Sequence, residues 1–129
     1  MNTITKTVTF FGSCAANSSL VLSSSRISSP FTVRTIKASF ALNTNRLLQL
    51  KFFISPDPSC PTTGEPTGFN ILEEYGQVSY IVGDDEQKVL DHNAESQTFP
   101  KWLKVYAVNS DGFEHTVDVQ ITIELSDKG

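Results

Sequence analysis

The sequence is poor in charge. Asp, Glu, Lys and Arg make up 19% of its 129 residues, against about a quarter in an average soluble domain. Its 10 Lys and Arg are outnumbered by 14 Asp and Glu, for a net charge of -4. A protein that grips nucleic acid by its phosphates needs a basic surface, so no nucleic-acid partner is expected. Long apolar runs are missing too. The longest, residues 47–54, is broken by Gln49 and Lys51, far from the roughly 20 apolar positions of a membrane span, so no membrane partner is expected. At the start, Lys6 is followed only by Val8, Phe10 and Phe11, too little for a secretory signal. Without one, the sequon Asn17-Ser18-Ser19 reads as chance. Two cysteines, Cys14 and Cys60, make no disulfide framework. They read as unpaired thiols, with a single bridge as the alternative. Together with only two histidines they offer no zinc-ligand spacing.

Hydroxyl residues fill the polar role, with 15 Ser and 13 Thr. Val, Ile and Thr together number 31, beside 9 Phe. Such residues fit a pleated, half-buried surface, so strands are expected and long helices are not. The C-terminal segment is the plainest. Over residues 115–125, Val117, Val119, Ile121, Ile123 and Leu125 alternate with polar residues, a period of two that turns one face to a core. Residues 102–109 precede it, joined through Asn109-Ser110-Asp111-Gly112, where Asp-Gly tolerates positive φ. The two read as a hairpin.

A second hairpin is read from residues 31–42 and 48–54 around Asn43-Thr44-Asn45. Phe31 and Val33 have the opposite parity to Ile36, Ala38, Phe40 and Leu42, which calls for a bulge near Arg34. Leu48, Leu50, Phe52 and Ile54 share a face on the return, and Phe53 interrupts the polar face opposite. Residues 77–82 and 87–92 read as a third pair around an acidic turn. Residues 3–11, with Ile4, Val8 and Phe10 on one face, and residues 19–24 complete about eight strands. Segment 55–70 holds Pro56, Pro58, Pro61, Pro66, Gly64 and Gly68 and is read as irregular throughout. Loops of that length are commonly functional. Eight strands in a single domain, residues 1–129, predict an all-β antiparallel sandwich of jelly-roll type. An immunoglobulin-like sandwich is the alternative, although Trp102 follows both cysteines, against the order of those domains.

No chemistry-bearing constellation stands out. His92 and His115 are the only histidines, and no Gly-x-Ser-x-Gly elbow accompanies them, so no enzymatic activity is expected. Asp84, Asp85, Glu86 and Asp91 lack the spacing of a calcium loop and read as a solvated turn; no metal or cofactor is expected. Trp102 and Tyr106 share a parity opposite to that of Leu103, Val105 and Ala107. If the latter face the core, the former make an exposed aromatic stripe spaced by Lys104. Interfaces and sugar-binding sheets use such stripes. A strand covered on both faces is the other reading. Pro56, Pro58 and Pro61, with Phe69 near the segment's end, read as a contact to a neighbour, against a rigid extended surface loop.

Residues 102–112, Trp-Leu-Lys-Val-Tyr-Ala-Val-Asn-Ser-Asp-Gly, followed by His115-Thr116-Val117-Asp118-Val119, resemble the closing hairpin of small jelly-roll structural proteins of viruses and phages, of the decoration or minor-capsid type. They also resemble the last hairpin of cadherin-like adhesion sandwiches. The first resemblance implies a non-enzymatic virion subunit that binds its own copies, a trimer being the expected state, and other capsid or particle proteins through β-edges and loops. A carbohydrate-binding or adhesion module, extracellular or at a cell surface, is the alternative. Its glycan contacts would be Trp102 and Tyr106.

Overall fold

The computed structural model describes residues 3–24, 27, 31–40, 47–57, 66, 68–71, 80–84, 86–96 and 102–126. Among them are eight strands: β1 (Thr3–Cys14), β2 (Ser18–Ser23), β3 (Phe31–Phe40), β4 (Leu48–Ser55), β5 (Phe69–Asn70), β6 (Glu86–Ser96), β7 (Trp102–Asn109) and β8 (His115–Ser126). They form two four-stranded sheets, ordered β1-β8-β3-β6 and β2-β7-β4-β5.

The pairing follows one rule. β1 lies antiparallel to β8, β2 to β7, β3 to β6 and β4 to β5. The chain is therefore doubled between β4 and β5 into one long ribbon. The ribbon wraps so that β3 also meets β8 and β4 meets β7. That arrangement is the jelly roll.

The wrap corrects all three expected hairpins. β7 and β8 follow each other in sequence but lie in opposite sheets, and so do β3 and β4. In the third pair, β6 joins β3 instead, while Ile81 exchanges two 3.0 Å backbone hydrogen bonds with Leu50 of β4; residues 77–79 lie outside the described residues. The reason is burial. Leu103, Val105 and Ala107 of β7 and Val117, Val119, Ile121 and Ile123 of β8 belong to one core. Side by side in one sheet, their apolar faces would share a surface that still needs a cover. In opposite sheets they cover each other, and the turn residues permit either path.

Side-chain parity holds up better. The register of β3 against both its neighbours shifts between Val33 and Thr35. This bulge at Arg34 brings Phe31, Val33, Ile36, Ala38 and Phe40 all inward; Leu42 is outside the described residues. Phe52, Leu48, Leu50 and Ile54 face the same core. Phe53 points to the opposite face of its sheet, where it packs with Val21 and Tyr106 in a small second cluster.

Segment 55–70 is not irregular throughout. Ser55 ends β4, and Phe69–Asn70 forms β5 against Phe53 and Ile54. Gly68 makes this approach feasible. Its φ is +113°, and a Cβ there would sit 2.2 Å from the Ile54 carbonyl oxygen. Glycine alone tolerates both conditions. Gly68→Ala is expected to detach β5 at a cost of about 1–3 kcal/mol. Faster hydrogen exchange confined to the β4–β5 pairing would show it. An unchanged melting temperature and exchange pattern would refute it.

Candidate functional site

The outer face of β7 carries Trp102, Lys104 and Tyr106. Because β7 lies between β2 and β4, that face is covered more fully than alternation implies. Lys104 is 0% exposed, and its Nζ donates to Asp57 Oδ1 at 3.1 Å. A buried ammonium needs such a partner. The Ser55 hydroxyl shapes the turn that brings Asp57 across. It accepts from the Asp57 N–H at 3.4 Å and donates to the Asp57 carbonyl at 3.2 Å.

Tyr106 is only 8% exposed. Its ring rests among Val21 and Phe53, with Lys51 Nζ 6.0 Å from the ring centroid, the outer limit of a cation–π contact. Of the two readings of this strand, the exposed stripe and the covered face, the structure has the covered one: Trp102 is half-buried, Lys104 is sealed under Asp57, and Tyr106 is covered. Pro56 is exposed. Phe69 has its backbone in β5, while its side chain, Pro58 and Pro61 lie outside the described residues.

One end of the sandwich is held by Asn109, which is 1% exposed. Its Nδ2 donates to the carbonyls of Cys14 and Ala15 at 3.2 Å and of Phe113 at 2.7 Å. Its Oδ1 accepts from the Asp111 N–H at 3.0 Å. One side chain thus ties the end of β1 to the β7–β8 connection. The Asn17 N–H adds a bond to the Asp111 carbonyl at 3.0 Å, and Ser110 N–H one to Leu47 at 2.9 Å. Asn17 has φ +52°, a conformation that asparagine adopts more readily than most residues. Sequence reading takes Asn109 for a turn residue and misses this role.

The same connection pairs His115 Nε2 with Asp111 Oδ2 at 2.8 Å. An oriented histidine is two-thirds of a hydrolytic triad, and a nucleophile must complete it. Among the described residues, no Ser or Cys is hydrogen-bonded to the ring. Cys14 faces His115 across the β1–β8 ladder, but its thiol donates to the carbonyls of Ser18 at 3.4 Å and Ala107 at 3.9 Å. It is a free, buried thiol. Burial raises its pKa, against a smaller lowering by the Asn109 backbone. His92 lies on β6 with its side chain outside the described residues, and no metal-ligating cluster occurs among the described ones.

The raised thiol pKa sets a pH dependence. As pH climbs past the ordinary thiol value of about 8.5, the unfolded chain gives up this proton while the folded one keeps it. Stability contributed by the protonated thiol is present below that pH and falls as pH rises through the folded pKa. In a Cys60→Ser background, alkylation of Cys14 is expected to track global unfolding. Adding Cys14→Ala should remove the thiol's part of the alkaline loss. Rapid labelling of the native protein would contradict this.

The sheet edges differ sharply. β5 has two residues and β2 has six. β6 is long but carries Glu86, Lys88, Asp91 and Glu95. β1 runs for 12 residues with a single charge, Lys6. Ile4, whose parity turns it inward, is 57% exposed, and Phe11 on the other face is 70% exposed. Phe113 and Leu47 are also exposed, at the end held by Asn109.

The sequence matches no protein-family model, and it matches no curated protein. Solved structures are similar in shape. One is a chain from infectious bursal disease virus, Gx strain, with 10% identity and TM-score 0.50, over all of this chain and 34% of that one. Another is the major capsid protein P2 of bacteriophage PM2, with 12% identity and TM-score 0.49, over 98% of this chain and 47% of that one. A third is from the disulfide-linked pili of Bacillus endospore appendages, with 11% identity and TM-score 0.49, over 96% and 88%. The chain spans about a third of the bursal virus chain and half of the phage protein. The likeness to the bursal virus chain is one of fold, and it agrees with the jelly-roll order read from the strand pairing.

Proposed function

We propose that this protein is a non-enzymatic assembly subunit of a virion or similar particle. It binds copies of itself, as a trimer, and neighbouring particle proteins through strand edges and loops. The observation that carries the reading is β1. Soluble proteins guard exposed edges with charge, proline, bulges or brevity. β1 has 12 residues, one lysine and two uncovered apolar side chains, Ile4 and Phe11. Its outward N–H and C=O groups form a template for another strand, and the two side chains add apolar area on either face of it. The viral origin of the bursal disease virus chain supports the virion as the setting.

Hydrogen exchange tests the edge. At high protein concentration the outward β1 amides are expected to be protected. In the doubly charged variant Ile4→Lys/Phe11→Lys they should exchange freely. Both sites are exposed, so the fold should shift by no more than about 0.5 kcal/mol. Equal exchange in the two proteins would remove β1 as the contact.

A further inference from the structure

On the outer face of β7, toward the end held by Asn109, lies an open groove of about 580 Å³. It is lined by Tyr106, Val108 and Asn109 of β7, by Ser110 just after it, and by Asn17, Ser18 and Ser19 at the start of β2. The lining combines a small apolar part, Val108 with an edge of Tyr106, and neutral hydroxyl and amide groups. No charged side chain lines it. Among the described residues, none hydrogen-bonds to the side chains of Asn17, Ser19, Ser110 or Tyr106. The Ser18 hydroxyl donates to the Ala16 carbonyl at 3.1 Å and keeps its acceptor capacity.

We infer that this groove is a binding subsite for a neutral saccharide. A sugar ring has an apolar C–H face and a rim of hydroxyls that both donate and accept. The first matches half-buried Val108 and the small edge of Tyr106 that its packing leaves open, and the second matches serine and asparagine, which also do both. A fatty ligand would leave the polar lining groups unpaired. An acidic one would find no cation in the lining, since Lys51 approaches Tyr106 but is not part of it. The groove lining is ordered by the fold: positive-φ Asn17 is bonded to Asp111, and Asn109 anchors the strand end. Trp102, at the far end of β7, takes no part. The subsite does not depend on the assembly reading, and each can fail without the other.

The test is NMR titration of the isotope-labelled full chain with lactose, cellobiose and N-acetylglucosamine, and separately with sialyllactose. Shifts confined to residues 17–19 and 106–110 are expected with at least one neutral sugar. Ser110→Trp, at an exposed position, fills the groove and should weaken that binding about tenfold or more while leaving the melting temperature unchanged. Ser19→Trp serves as the second plug should the first disturb folding. Three results would overturn the assignment: no response to any neutral sugar, a response that neither plug reduces, or a response to sialyllactose alone.

Discussion

Asn109→Asp is expected to destabilise the protein by about 3–5 kcal/mol at neutral pH, although the two side chains have nearly the same shape. The amide nitrogen faces three carbonyl oxygens, those of Cys14, Ala15 and Phe113. A carboxylate places an oxygen there with no proton to offer, so three acceptors lose a donor and a buried charge gains three repulsive neighbours. The other oxygen keeps its bond from the Asp111 N–H. Neutral Asp restores one donor. The variant's carboxyl is therefore raised above its unfolded value of about 3.9, and the deficit should shrink as pH falls toward that value. Denaturant melts at several pH values measure it. A loss below about 1 kcal/mol, or one that grows on acidification relative to the native protein, would mean that the staple is not what holds this end.

Phe52→Ala is expected to cost about 3–5 kcal/mol. Phe52 is fully buried on central strand β4, beside Val105 of β7. Its ring fills the space between the sheets, and the surrounding strands are locked by ladders on both sides. They cannot collapse into the gap, so both the transfer and the cavity contributions are lost. Since a domain of this kind has only about 5–15 kcal/mol in hand, the variant should melt far below the native protein. A loss near 1 kcal/mol would show an interior loose enough to repack, contrary to the interdigitated core of a closed jelly roll. Phe53→Ala is the useful contrast, because that ring lies in the small outer cluster and should cost less.

Strands were more legible than their partners. Alternation in residues 102–109 and 115–125 located β7 and β8 almost to the residue, and the parity switch at Arg34 located the bulge. Period two reports which residues share a face. It does not report whether the next strand lies beside that face or across from it, so alternation suggests hairpins for β3 with β4 and for β7 with β8, which lie in opposite sheets. The better signal was present in Leu103-Lys104-Val105-Tyr106-Ala107-Val108. A nearly continuous apolar run marks a strand buried on both sides. Lys104 disguised it, because a lone lysine reads as solvent-facing, and its partner Asp57 lies 47 positions away. β5 was hidden because its place depends on a glycine touching the β4 backbone, a contact with no periodicity. Asn109 was hidden because a buried staple and a turn asparagine look the same in sequence.

Jelly rolls host many functions, and the fold alone does not choose among them. What singles out assembly here is the contrast between β1 and the better-guarded edges β2, β5 and β6. Assembly through β1 requires that this edge be occupied in solution. The most direct measurement is the mass of the purified protein by light scattering across a dilution series, beside Ile4→Lys/Phe11→Lys. A closed multimer that persists on dilution, with the mass of a trimer, and collapses to monomer in the variant is the predicted result. A native protein that stays monomeric at every concentration would contradict it.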